Sequence, residues 1–291
     1  MINRDKENYD RAVEIADGVF WVGFNDTQEG LHCNPYLIID GEEAVVIDGG
    51  SRPDFPTVMT KILQTGITPK SICALIYQHY DPDLCGSVSN YEDIIDRDDL
   101  KIISKEENSM FIRHYSLSSK IVSVETLGYN FAFASGRKLA FYSTPYAHLG
   151  GSFVTFDSKS GVMFSSDLFG SYGSKWQLFL EIKKECRICE NYDKCPLNED
   201  YCHVREILKF HKMMMPCERS LIHALETMAT IPFTKIAPQH GSCIFNTEDI
   251  VFMFNKLVKL KKVGIDGILD DRPYGELGNI NPLLERFRSN E

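Results

Sequence analysis

One imidazole and two carboxylates alternate along the ten residues Tyr77–Gly86, YQHYDPDLCG, as His79, Asp81 and Asp83. Neutral imidazole and carboxylate oxygen together suit Zn, Fe or Mn better than a soft metal. The apolar run Ile72–Tyr77 before them reads as a buried strand, and Asp81-Pro82 and Gly86 read as the loop that ends it. Taken alone, an acidic loop with a histidine in it is more often a solvated turn than a metal site. Three later segments repeat the same logic, each ending a β-type run with a metal-capable side chain: STPYAH with His148, VMFSSD with Asp167, and KIAPQHG with His240. If the sheets bring these four strand ends together, the pocket holds His79, His148, His240, Asp81, Asp83 and Asp167. That set suffices for two metal ions sharing one carboxylate, each keeping an open position.

The elements that must position these side chains are short. Val19–Val22, Tyr36–Ile39 and Ala44–Ile47 are β-type runs separated by the turn signals Asn25-Asp26, Asn34-Pro35 and Asp40-Gly41. Apolar residues from Pro53 to about Gly66 recur at helical spacing, and Asp48-Gly49-Gly50-Ser51 ends the preceding strand. Further along, helices are expected over Tyr91–Asp99 and Asn108 to about Ser118, and a strand over Lys101–Ser104. Phe131–Ala134 and Lys138–Ser143 flank Ser135-Gly136-Arg137 as a hairpin, and Phe153–Phe156 and Val162–Ser165 form another strand pair. Val204–Thr230 reads as helical with a break at Pro216, Thr234–Pro238 as a last strand, and Thr247–Lys262 as a last amphipathic helix. The expected class is α+β, with two mixed sheets face to face and helices outside, an αββα sandwich.

Composition narrows the function. A formal net charge of −10 over 291 residues argues against nucleic-acid binding and against adhesion to an anionic membrane. The start, MINRDKENYDRAVEIADG, has no apolar core of the secretory kind, and no window approaches a membrane span, so a cytoplasmic protein is expected. Nine cysteines, an odd number, point to free thiols and metal ligands rather than a disulfide framework.

The series H-x-D-x-D, T-P-x-x-H, S-x-D-x-F-G and P-x-H-G resembles the metallo-β-lactamase superfamily, and within it the diiron domain of flavodiiron proteins. The resemblance runs from about Val19 to Lys262. Asp81, standing where the zinc hydrolases of that superfamily carry a second histidine, favours iron. Carried across, the likeness implies that His79, Asp81 and His148 hold one iron, that Asp83 and His240 hold the other, and that Asp167 bridges them. In that family a further histidine directly follows the residue matching Asp83, and here that position is Leu84. One iron thus lacks a protein ligand, and Tyr80, Cys85 and His32 are candidates to compensate. Asp167 and Tyr80 are the candidate catalytic residues. Residues 1–263 are expected to form the diiron domain, with a cysteine-rich insertion at about 184–204 and a C-terminal tail at 264–291. That ending is too short for the flavodoxin domain that supplies electrons in flavodiiron proteins, which favours the family's stand-alone oxygen-binding diiron proteins.

The insertion carries Cys186, Cys189, Cys195 and Cys202 at spacing C-x2-C-x5-C-x6-C. Four thiolates so placed fit a 4Fe-4S iron–sulfur cluster or a structural zinc. The expected function is therefore O2 binding or O2/NO reduction at a diiron pocket, as an oxygen sensor or as a reductase fed by an electron donor through the cysteine cluster. A two-metal phosphodiesterase acting on a nucleotide or cyclic dinucleotide is the alternative, and a homodimer fits the family. Cys33, Cys73, Cys217 and Cys243 read as buried free thiols, and Met213-Met214-Met215 as gap-filling core. His114, His203, His211 and His223 lack a ligand neighbour pattern, although His203 abuts Cys202.

Overall fold

The computed structural model describes residues 9–24, 30–31, 33–116, 118–173, 175–192, 194–195, 197 and 201–269. The first sheet runs in chain order: β1 (Val13–Ala16), β2 (Val19–Trp21), β3 (Tyr36–Asp40), β4 (Glu43–Ile47), β5 (Ile72–Ile76), β6 (Lys101–Ser104) and β7 (Lys120–Ser123). Its first four strands are antiparallel and its last four parallel, meeting at β4. The second sheet contains β8 (Asn130–Ala132), β9 (Lys138–Ser143), β10 (Phe153–Asp157), β11 (Val162–Phe164) and β12 (Lys235–Ala237), adjacent in the order 12-11-10-9-8. Only β11 and β12 are parallel there.

Strand periodicity explains the layers. On β4, Val45 and Ile47 face the space between the sheets and meet Phe141, Phe153 and Phe164 of the second sheet, whereas Ala44 and Val46 face outward. Alternate residues point to opposite faces, so an apolar run covered on both sides reads as continuous. The outer face of the first sheet is covered by α1 (Phe55–Gln64), α2 (Pro82–Cys85) and α3 (Val88–Ile95). On α1 the buried residues Phe55, Val58, Met59 and Ile62 form one stripe. After α4 (Glu106–Ile112) and the one-turn α5 (Lys184–Arg187), α6 (His203–Met214), α7 (Glu218–Ala229) and α8 (Thr247–Val258) cover the second sheet. The αββα sandwich is therefore observed as expected.

Differences from the expected elements are local. The helix expected over Asn108–Ser118 ends at Ile112, and β7, which follows it, has no buried side chain. An edge strand of half-exposed residues lacks the alternation that identifies strands in sequence. The helix expected over Tyr91–Asp99 starts earlier and stops at Ile95, where Asp96 takes a left-handed conformation (φ 48°) and caps it. Of the expected tail, residues 270–291 lie outside the described residues. Its start packs on the domain: α9 (Ile265–Leu269) follows Gly264, which pairs with Cys217, and Asp266 Oδ2 accepts the Glu218 amide at 2.7 Å. Among the described residues no helix is long and apolar enough to cross a membrane.

At one end of the sandwich Arg137 ties the two sheets together. Its guanidinium donates to Asp157 at the end of β10 and, at 3.2 Å, to the Ile39 carbonyl on β3. The carboxyl ends of β4, β5, β11 and β12 lie at the opposite end, because β3 and β10 run antiparallel to their neighbours β4 and β11. That opposite end carries the candidate ligands.

Candidate metal centre

Each ligand-type side chain sits just past a strand. β5 leads through Tyr77 and Gln78 to His79, and the buried Asp48, at the end of β4, fixes this exit: its Oδ1 accepts the Gln78 amide at 2.9 Å and its Oδ2 the Gln78 side chain at 3.0 Å. Asp81 then starts α2, its carbonyl accepting the Leu84 and Cys85 amides, and Asp83 occupies the first turn of that helix. β9 leads to His148, β11 to Asp167 and β12 to His240. The last two exits are stitched together, since the Gln239 amide donates to the Ser166 carbonyl at 2.8 Å. Tyr146 and Ser166, close before His148 and Asp167, hold left-handed φ values of 60° and 52°. Such conformations cost of order 1 kcal/mol each and persist where the surroundings over-determine them.

The side chains converge as two triads. In the first, ligand atoms of His79, Asp81 and His148 all lie within 4.8 Å of one another; in the second, those of Asp83, His240 and Cys33 do. Asp167 lies between them. Its Oδ2 is 3.0 Å from His148 Nε2, and its Oδ1 is 3.7 Å from both His79 Nε2 and His240 Nε2. Both Asp167 oxygens, His79 Nε2 and His148 Nε2 are buried and make no hydrogen bond of regular geometry among the described residues. Buried polar atoms of native proteins are almost always satisfied. Orphaned atoms so clustered fit cations, and the imidazole and carboxylate set fits iron, zinc or manganese.

The charges agree with that fit. Burial works against the Asp167 carboxylate, yet the His79, His148 and His240 rings hold it well below the usual carboxylate range. His148 moves the other way: burial alone would lower it, and the Asp167 and Asp81 carboxylates raise it to about 10. His79 is lowered by burial, and its Nδ1 lies 2.9 Å from Ser166 Oγ. With a metal on Nε2, Nδ1 carries the proton and donates to that hydroxyl, which fixes the ring orientation.

A cavity of about 280 Å³ opens onto Asp81, Asp83, Asp167 and His240 and is otherwise walled by Leu31, Tyr172, Phe210, Met213 and Met214. Among the described residues no lysine or arginine lines it. The methionine run thus departs from its expected role: Met215 is core, but Met213 is 60% exposed and, with Met214, lines the cavity.

Several expected participants stand apart. The Tyr80 ring stacks on Phe111 at 4.1 Å, as a packed aromatic. Cys85 is buried in the apolar layer under the first sheet, its thiol directed to the His79 carbonyl. Leu84 is buried in the same layer, so the side chain after Asp83 belongs to the core. His32 lies outside the described residues. Cys186, Cys189, Cys195 and Cys202 are all half-buried, and among the described residues no three of them bring ligand atoms within 4.8 Å of one another. Cys33 is a buried free thiol, as expected, and its ligand atom also joins the second triad.

His211 is a further residue that sequence reasoning passed over. It is fully buried on α6, where Nδ1 donates to the Ile207 carbonyl at 2.7 Å and Nε2 accepts the Phe169 amide at 3.0 Å. It therefore holds the turn that follows Asp167. Burial lowers its pKa to about 4. The folded protein thus binds this proton less readily than the unfolded chain does, and the associated stability is complete above about pH 6.5 and is lost as pH falls through about 4. The loss amounts to about 3 kcal/mol. Urea unfolding of metal-free protein at a series of pH values is expected to show this slope, and His211→Gln, which keeps an acceptor but cannot titrate, to flatten it. An unchanged slope in the variant would assign the acid sensitivity elsewhere.

The comparisons follow this geometry. A family model described as ODP family beta lactamase matches residues 31–241. The chain is 26% identical over 230 residues to the putative diflavin flavoprotein A 2 of Nostoc sp., covering 77% of this chain and 35% of that protein. The rubredoxin:oxygen oxidoreductase of Desulfovibrio gigas superposes with a TM-score of 0.69 at 21% identity, over 86% of this chain and 61% of that one. A structure described as the peroxy diiron species of the chemotaxis sensor ODP superposes with a TM-score of 0.68 at 22% identity, over 89% of this chain and 99% of that one. These structural likenesses establish the fold. Against the curated relatives, the chain spans roughly a third to a half of their length.

Proposed function

The chain belongs to the ODP family of beta-lactamase-fold proteins, and from that premise we propose that it is a non-haem diiron protein whose pocket binds O2. The observation that carries this reading is the cluster of orphaned, buried atoms on His79, His148 and Asp167, the last of which lines a cavity also walled by Leu31, Tyr172, Phe210, Met213 and Met214. His79, Asp81 and His148 hold one iron, Asp83 and His240 hold the other, and Asp167 bridges. Two ferrous ions held there would supply O2 or NO binding and the electrons for its reduction. The protein supplies the rest. Ser166 fixes the His79 ring, Asp48 fixes the strand exit before it, and Leu31, Phe210, Met213 and Met214 give a small apolar diatomic a poorly hydrated approach.

The hydrolase alternative would use the same two ions to clamp a phosphoryl group, and experiment separates the two readings. The test is to load the protein with ferrous iron anaerobically and mix it with O2 in a stopped-flow spectrophotometer. Uptake of about one O2 per two irons with a new visible absorption is expected, while zinc- or manganese-loaded protein leaves bis-p-nitrophenyl phosphate intact. Absence of O2 uptake by protein that holds two irons would refute the reading.

The cysteine quartet has a part in it. Cys186, Cys189, Cys195 and Cys202 gather around an iron–sulfur cluster or a zinc ion on loading, as metal sites commonly form only with the metal bound; their spacing and shared half-burial support this. With a redox cluster the protein is a reductase fed by an external electron donor, and with zinc it is a sensor. Anaerobically purified protein containing about six irons and about four sulfides indicates the first, and about two irons without sulfide the second. An odd count of nine cysteines suits the reducing cytoplasm, and the homodimer implied by the resemblance is measurable by sedimentation velocity.

A further inference from the structure

The second metal position is short of a protein donor because Leu84 turns into the core, yet the structure places another donor there from a different part of the chain. We propose that the Cys33 thiolate completes that position, so that the second iron is held by Asp83, His240 and Cys33, with Asp167 shared. This rests on the two-iron reading above and deepens it.

Distances carry the argument. Two donors at ~2.3 Å (thiolate) and ~2.1 Å (carboxylate) from one ion, at a tetrahedral angle, are ~3.6 Å apart, and an imidazole and a carboxylate are ~3.4 Å apart. Cys33 Sγ lies 3.6 Å from Asp83 Oδ2, and His240 Nε2 lies 3.3 Å from the same oxygen. Both distances match those of ligands around a single ion, and all three ligand atoms lie within 4.8 Å of one another. A second, independent observation points the same way: the fully buried Asp167 Oδ1, without a hydrogen-bond partner, lies 3.7 Å from His240 Nε2.

The placement of Cys33 is built. Asn34, the next residue, is fully buried and bound into the His240 loop on three sides. Its amide donates to the Gln239 carbonyl at 2.8 Å, and its side-chain nitrogen donates to the carbonyls of Pro238 at 3.0 Å and Gly241 at 2.8 Å. Its side-chain oxygen accepts Trp21 Nε1 at 2.8 Å. An asparagine using its donors and acceptor so fully fixes backbone position, and a cysteine one residue away is held beside the histidine it would share a metal with. In the metal-free protein the thiol donates to Asp83; on metal binding that proton passes to solvent and the metal takes its place between sulfur and oxygen. The two irons then differ. One has only nitrogen and oxygen donors, and the other carries a softer thiolate that lowers its reduction potential relative to its neighbour.

The test uses the full chain and cobalt(II), whose thiolate complexes show an intense near-ultraviolet charge-transfer band. Metal-free protein is titrated anaerobically as wild type and as Cys33→Ser, with the Cys186–Cys202 quartet intact in both so that its contribution cancels in the difference. Wild type minus variant is expected to show a one-thiolate band. The second pocket equivalent is expected to bind on the order of 10- to 100-fold more weakly in the variant. Cys33→His is expected to recover the affinity without the band, a rescue that a packing role would not produce. Should Cys33→Ser fail to fold, His240→Ala, which leaves the thiol in place, is expected to lose the same band. Superimposable spectra and equal affinities, with two pocket equivalents retained, would overturn the Cys33 ligand and leave the two-metal site standing. Cobalt confined to the quartet in wild type would overturn both.

Discussion

Asp167→Asn is expected to reduce the tightly bound iron from two equivalents to at most one and to abolish O2 uptake. The side chain is buried, and its two oxygens contact all three imidazoles of the cluster. Among the described residues no other carboxylate contacts the histidines of both triads, since Asp81 faces His79 and His148 while Asp83 faces His240. An asparagine has the same shape but no charge, and it turns an NH2 group toward at least one ring nitrogen that needs a lone-pair partner or a metal. The expected defect lies in coordination rather than folding. It is read by iron content after desalting and by the rise in unfolding free energy on metal addition. For wild type at a metal concentration a thousandfold above its Kd, that rise is about 4 kcal/mol. The variant is expected to lose most of it while unfolding cooperatively without metal. If Asp167→Asn retained two irons and a wild-type metal-dependent rise, Asp167 would not be the bridge.

The ligand strands were legible for a physical reason. A metal site at the ends of parallel and neighbouring strands has each donor directly after an apolar run, so His79, His148, Asp167 and His240 all stand in the same local context. The layers were legible too, because β4 and β5, covered on both faces, are continuous apolar runs. What escaped sequence reasoning is tertiary. Cys33 follows no apolar run, and nothing local marks it as different from Cys73 or Cys243; only the Asn34 hydrogen bonds to a loop some two hundred residues away bring it to the site. Asp48 and His211 act by holding backbone, Asp48 before His79 and His211 after Asp167, and a residue that holds a neighbouring segment leaves no spacing signature. β1 and β7 were missed as edge strands, each with at most one buried residue. The cysteine quartet shows the converse limit, since its spacing is regular while, among the described residues, no three of its thiols lie within 4.8 Å of one another.

Arg137→Ala is expected to give the largest loss of stability of any single substitution away from the metals, about 3 to 5 kcal/mol. The turn that carries it, Ser135-Gly136-Arg137, reads in sequence only as a hairpin connection, but the guanidinium is buried between the sheets. It makes a two-pronged contact with Asp157, donates to the Ile39 and Asp17 carbonyls at 3.2 and 3.3 Å, and lies 3.8 Å from Asp40. Asp157 is fully buried and also accepts Ser160 Oγ and the Lys159 amide. Removing the arginine leaves that carboxylate charged and unpaired in a low-dielectric interior, which costs far more than an exposed ion pair of about 0 to 1 kcal/mol would. Arg137→Lys is expected to recover only part of the loss, because an ammonium cannot span the carboxylate and two carbonyls at once. The paired change Arg137→Met with Asp157→Leu is expected to recover more, since it removes the buried charge along with its partner. Denaturant unfolding of the four proteins measures these differences, and a loss below about 1 kcal/mol in Arg137→Ala would show the clamp to be energetically idle. Because the clamp and the metal pocket lie at opposite ends of the same strands, iron stoichiometry in the folded fraction is expected to stay unchanged. Stability and metal binding are thereby separable in this fold: Arg137 carries one and Asp167 the other.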